Sequence, residues 1–138
     1  MTFKLSKFSL SRRVGIDPRL IEIDDLALTI SKVDFGHPKY AGLRTVEDQQ
    51  EMFKRGVSQL DGVTAKSLHQ DGLALDFYAF VDGKASWHPP HLAMVAIAYF
   101  EAANQLGYEI EWGGHWSTSQ TIDGVGYGWD AGHIQLKV

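Results

Sequence analysis

Apolar residues recur at helical spacing in two stretches of the chain. Leu20, Ile23, Ala27, Ile30 and Val33 form one stripe behind Asp17-Pro18, an N-cap followed by a first-position proline, and predict a helix from about Pro18 to Val33. A competing strand reading of "LALTIS" is weaker. Thr45 and Asp48 are spaced as a capping box and open a second helix through "VEDQQEMFKR", stopped at Gly56. Leu92, Val95, Ala96, Tyr99, Ala103 and Leu106 make the second stripe and predict a third helix, opened by Pro89-Pro90 and ended by Gly107. Period-two alternation marks "YEIEW" and "HIQLKV" as half-buried strands. "LALD" reads as a buried strand that ends on a carboxylate. "FGHPKYAG" reads as loop, and "GGHWSTSQTIDGVGYGWDAG" is too rich in Gly, Ser and Thr for regular structure. A loop that long in a compact domain is usually functional. The pattern predicts an α+β fold, a small antiparallel sheet flanked by about three helices, with residues 1–138 forming a single domain.

Composition narrows the chemistry more than the fold. A chain of 138 residues can bury a core without covalent staples. Its net charge of −4 argues against broad electrostatic binding to nucleic acid. There is no cysteine, so a metal would have to be held by histidine and carboxylate, which suits zinc. No apolar run approaches the roughly 18–20 residues that span a bilayer, so membrane insertion is not expected. The basic N-terminus lacks a continuous apolar segment and a small-residue cleavage site, so a cytoplasmic product without a signal peptide is expected.

The stretch "SLHQDGLALDF" carries the sharpest question. Asp76 interrupts a buried run, and a buried carboxylate needs a donor, a cation or a metal. On a straight strand, His69 and Asp76 would face opposite sides; the turn "QDG" between them can bring both to one place. His133 opens the last strand. His69, Asp76 and His133 together would be a three-ligand set with a fourth position open, the pattern of catalytic zinc. Asp130, three residues before His133, could take a proton from a water whose pKa the metal lowers from about 15.7 to about 7. Arg44 could supply a fixed charge for an oxyanion.

Each residue also has an ordinary reading. Either histidine could be a hydrogen-bonded structural group, Asp76 could pair only with an arginine, Asp130 could be a turn residue and Arg44 a solvated charge. His115 is a weaker third histidine. His88 and His91 read as the start of the third helix, and His37 before Pro38 as a loop residue. Of four tryptophans, Trp116 and Trp129 in the long Gly-rich stretch are the better candidates for a groove.

"SLHQDGLALD" fits the S-x-H-x-x-G-x-A-x-D pattern of the zinc peptidases that include vancomycin-resistance D-Ala-D-Ala peptidases and phage endolysins. "DAGH" fits the second motif of that family. "GLRT" followed by Gln49, "DGKASW", "WGGHW" and the N-terminal "FKLSKFSLSRRVGIDPRL" resemble landmarks of the phage L-alanyl-D-glutamate endopeptidase branch, in order and almost end to end. The resemblance implies one Zn2+ per chain on His69, Asp76 and His133, with Asp130 as general base and Arg44 steadying the tetrahedral intermediate. It places Ser67, the motif serine, beside the substrate or behind the ligands, where a plain turn hydrogen bond is the alternative. The implied fold is the small Hedgehog/DD-peptidase-like α+β one. Two departures stand near the expected substrate side. "VSQLDGVTAKS" is several residues longer than the branch usually has, and His115 stands where an aspartate is common.

The resulting expectation is a monomeric endolysin that cuts the L-alanyl-D-glutamate bond of peptidoglycan stem peptides, released to the wall by a holin. A D-Ala-D-Ala carboxypeptidase or dipeptidase is the alternative enzyme, and a non-catalytic wall-binding module the alternative class.

Overall fold

The computed structural model describes residues 3–137. A short helix α1 (Lys7–Ser11) is followed by α2 (Pro18–Ile30), β1 (Asp34–Gly36) and α3 (Val46–Lys54). A 3-10 turn (Leu68–Asp71) leads into β2 (Ala74–Asp76), β3 (Tyr78–Val81) and β4 (Lys84–Ser86). Helix α4 (Pro89–Leu106), β5 (Ile110–Trp112), a second 3-10 turn (Gly113–His115), β6 (Thr118–Ile122), β7 (Val125–Gly128) and β8 (His133–Leu136) complete the order. The α+β class is as expected, and the capped helices begin where their signals lie. Asp17 accepts from Arg19 N–H, and Thr45 and Asp48 form the full capping box. Helix α2 stops at Ile30, short of Val33, because the Ser31 hydroxyl bonds the backbone of Val33 and turns the chain away.

The strands divide into three small antiparallel sheets, β1-β3-β4, β2-β8-β5 and β6-β7. The central one positions the site. Leu75, Ile134, Leu136, Ile110 and Trp112 lie on one face and are buried in the core with Leu20, Ile23, Phe77, Val95 and Tyr99. The other face carries Asp76 directly opposite His133, and Gln135 opposite Glu111. Because side chains alternate strictly along a strand, burying the first set presents the second as a group. Helices α2 and α4 pack together over the core side.

The stretch read as one long irregular loop contains a hairpin, β6-β7. Asp123 (φ 50°) and Gly124 (φ 81°) form its two-residue connection, with Ile122 paired to Val125. Asp-Gly is a strong signal for such a turn. The strands escaped notice because most of their residues are exposed, so no apolar alternation marks them.

Candidate active site

The turn between His69 and Asp76 does what the spacing requires. Ser67 caps it, its hydroxyl accepting from His69 N–H while Gln70 returns a bond to the Ser67 N–H. Gly72, at φ 71°, reverses the chain in a conformation costly for other residues. The backbone then locks in place, with Arg44 N–H donating to His69 carbonyl and Asp76 N–H donating to Ala41 carbonyl.

Three ligand atoms converge as a result. His69 Nε2 lies 3.2 Å and His133 Nδ1 3.0 Å from Asp76 Oδ1, and the two nitrogens are 3.3 Å apart. All three fall within 4.8 Å of one another. What lies behind them fixes which atoms face inward. His69 Nδ1–H donates to Gly42 carbonyl at 3.0 Å, which leaves Nε2 with its lone pair. His133 Nε2–H donates to Gln135 Oε1 at 2.8 Å, and the Gln135 amide is oriented in turn by Glu111. Asp76 Oδ2 accepts from Arg44 at 2.8 Å, leaving Oδ1 directed at the histidines.

Three lone-pair atoms facing one another with no proton between them repel unless a cation joins them. Two imidazoles and a carboxylate, each tied from behind, are the donor set of a three-ligand divalent-metal site. His69, Asp76 and His133 can therefore hold a metal ion. Without one, a proton is the substitute. Burial works against a charged His133, but the bond to Asp76 and the charges of Asp76 and Asp130 outweigh it and raise its pKa. Asp76 is held far below the usual carboxylate range, its burial overcome by both histidines.

Asp130 stands beside this group without joining it, its Oδ2 3.7 Å from His133 Nδ1. Burial raises its pKa; His133 opposes that, while the charge of Asp76 adds to it. Its backbone is fixed by close packing, since a Cβ on Gly113 would overlap the Asp130 carbonyl. Arg44 is more tightly engaged than a free oxyanion donor would be. It is 6% exposed and gives N–H bonds to Tyr40 carbonyl, Gln49 Oε1 and Asp76 Oδ2. Three of its five N–H donors are thus used. The long segment before His69 folds over α3, where the buried Gln49 amide donates to the Ser58 hydroxyl and Leu60 carbonyl.

A cavity of about 400 Å3 opens above the three ligand atoms. Arg44, Ser67, Lys66, Trp116, Trp129 and Asp130 line it, as does the rim Val57–Leu60. Trp116 packs at a tilt against His133, with ring centroids 5.2 Å apart. His115 takes no part: it is exposed and packs against Phe100 and Trp112. His88 caps α4 and His91 bonds Ser86 in its first turn, as their position suggested. His37 lies in a loop but is fully buried, its Nδ1–H donating to Asp76 carbonyl at 2.7 Å and its Nε2–H to Asp24 at 2.9 Å. Sequence reasoning missed His37, Gln135, Glu111 and Gly42 as supports of the ligands. Only Gln135 carries a local sign, two residues from His133 on the same strand face.

A family described as phage L-alanyl-D-glutamate peptidase matches residues 1–137. The chain belongs to that family. The L-alanyl-D-glutamate peptidase of Escherichia phage T5 is 31% identical over 139 residues, 99% of each chain. Among solved structures, the L-Ala D-Glu endopeptidase ChiX of Serratia marcescens is 33% identical with a TM-score of 0.77, covering 97% of this chain and 90% of that one. The family's small α+β fold is the one observed, and among the described residues no helix is long and apolar enough to cross a membrane.

Proposed function

We propose that the chain is a zinc-dependent peptidoglycan endopeptidase that hydrolyses the L-alanyl-D-glutamate bond of stem peptides, an endolysin released to the wall by a holin. Residues 1–138 would act as one catalytic domain and as a monomer. The observation that carries this reading is the convergence of His69, Asp76 and His133, each tied from behind, with Asp130 beside them. The names of the relatives supply the bond.

His69 Nε2, His133 Nδ1 and Asp76 Oδ1 would hold the ion. When bound, zinc polarises the scissile carbonyl and makes water a better acid. Asp130 would take the proton of the attacking water and return it to the leaving amine; its burial supports this by keeping its basicity above that of an exposed carboxylate. The two Arg44 N–H groups not used by the protein are the donors available to the developing oxyanion. Arg44 serves Asp76 as well, so its removal would cost ligand geometry along with charge. The Ser67 hydroxyl acts first as the cap of the ligand turn, with its own proton left for substrate at the cavity wall.

A second cavity of about 240 Å3 shares Asp76, Trp129 and Asp130 with the first. Space on both sides of Asp130 suits a bond inside a chain, whereas a carboxypeptidase needs a closed end. Mass spectrometry of purified wall digests tests the assignment. New amino termini on D-glutamate, with L-alanine left on muramic acid, are expected. Free D-alanine without those termini would make the chain a carboxypeptidase, and no new termini would leave a binding module.

A further inference from the structure

The second cavity is built differently from the first. Trp87 and Trp129 are each 54% exposed, yet both are held in place. Trp87 lies 5.9 Å from the Tyr78 ring and so close over Gly132 that a Cβ there would come within 2.9 Å of the indole. Trp129 packs against Trp116 at 5.2 Å. The exposed β6 residues Ser119 and Gln120 complete the wall with polar groups. No lysine, arginine or histidine lines the cavity, and its charged residues are Asp76 and Asp130. An anionic group would find no cationic side chain there. Fixed indole faces beside hydroxyl and amide donors suit an uncharged ring with apolar C–H faces and polar edges, which is a pyranose.

Resting on the endopeptidase reading above, we propose that this cavity binds the N-acetylmuramyl sugar of the substrate and so fixes the direction in which the stem peptide crosses the site. L-Alanine is a single residue, spanning roughly 3.5 Å, between the scissile carbonyl and the lactyl bridge to the sugar. A sugar must therefore sit next to Asp130, and this cavity is adjacent to it. The opposite polarity would leave a carboxylate without a cationic partner. γ-Linked D-glutamate keeps a free α-carboxylate beside the scissile nitrogen, and the cations Arg44 and Lys66 line only the larger cavity. The glycan side lies over Trp87 and Trp129, and the glutamate side runs toward Lys66.

The test compares kcat/KM on two synthetic stem peptides, one carrying N-acetylmuramic acid on L-alanine and one carrying only an acetyl group, using the zinc-loaded full chain. Wild type should prefer the muramyl peptide by about tenfold, the scale of one or two well-formed aromatic contacts. In Trp87→Ala the ratio should fall to about one, and in Gln120→Ala, at an exposed strand position that folding tolerates, to an intermediate value. Equal rates on both peptides in wild type would overturn the sugar site while leaving the endopeptidase intact. So would a Trp87→Ala that slows both peptides alike, or, if that variant does not fold, a Gln120→Ala with the wild-type ratio. Cleavage of neither peptide at the alanyl-glutamate bond would overturn the endopeptidase reading itself.

Discussion

The chain carries two aspartate–histidine clusters that meet at the backbone of Asp76. In one, His69, His133 and the Asp76 carboxylate turn three lone-pair atoms toward a common point. In the other, Asp24 and His37 are wholly buried, and every polar atom is spoken for. Asp24 accepts from His37, Tyr99 and Arg13, while the second His37 N–H is given to Asp76 carbonyl. Both His37 partners are acceptors, an arrangement that favours the doubly protonated ring and, with Asp24, raises its pKa. The residue types are the same in both clusters; the difference lies in what stands behind each ring. Gly42 and Gln135 take one proton from each site histidine and leave the other nitrogen bare. Acceptors on both sides of His37 leave it no lone pair for a metal. A histidine beside an aspartate is thus a ligand only when its far nitrogen is occupied and its near one is not.

The largest effects should come from the bare nitrogens. His69→Ala and His133→Ala should each lose the metal and reduce wall lysis to background, because each removes one of the three groups that could hold it among the described residues. Full metal content in both variants, measured by atomic emission on the purified chain, would falsify the site. Asp130→Asn should keep the metal and lose roughly 10²–10⁴ in turnover, the usual worth of a positioned general base. Normal turnover would return Asp130 to a structural role, and an empty site would make it a ligand.

The buried cluster should answer in stability instead. Asp24→Asn strips His37 of its counterion, leaves Arg13 only Asp25, and should cost about 3–5 kcal/mol in urea unfolding, with the folded protein still binding one metal. Loss of metal from the folded variant would mean that the two clusters are one functional unit. A smaller change tests the support behind a ligand. Gln135→Leu leaves His133 Nε2–H without its acceptor and should weaken metal binding about 10–100-fold by competition with a chelating dye. An unchanged affinity would show that β8 alone orients the ring.

How much of this could be read in the chain depends on whether the signal was local. The three longer helices announced themselves through caps and period, His69 and Asp76 through their spacing about a glycine turn, and the candidate set His69, Asp76 and His133 as a whole through its likeness to family motifs. Helix α1 has only five residues and no apolar stripe, so its capping serine, Ser6, did not mark it. The β6-β7 hairpin was visible only as Asp123-Gly124. His37 looked like any loop histidine, because its partner Asp24 is thirteen residues away on α2 and their contact exists only after packing. Arg44 was read as a charge for the substrate, yet most of its engagement is with Gln49, Tyr40 and Asp76, which a linear reading cannot join.

The smallest expected effect separates the clusters by pH, and the signs are opposite. Burial lowers the His37 pKa, but the charge and hydrogen bond of Asp24, with Asp76 carbonyl, overcome it and leave the folded value above the ordinary 6.5. Burial likewise works to raise Asp24, yet His37, Tyr99 and Arg13 hold it below its ordinary value. A raised histidine contributes stability that is complete below the unfolded pKa and is lost as pH rises through the folded one; a lowered aspartate contributes above its unfolded pKa and loses it in acid. The pair therefore supports the fold in the middle of the scale, and its histidine half fades on the alkaline side. Each tenfold gain in proton affinity that folding confers on the ring is worth about 1.4 kcal/mol. Metal binding runs the other way. His133, whose pKa is raised in the metal-free chain, must lose its extra proton to bind, so affinity should climb with pH up to that point. Urea unfolding of the metal-free chain and of His37→Gln from pH 6 to 9 checks the first, the gap between them narrowing as pH rises. Metal titration over the same range checks the second, and two curves of the same sign would erase the distinction between the clusters.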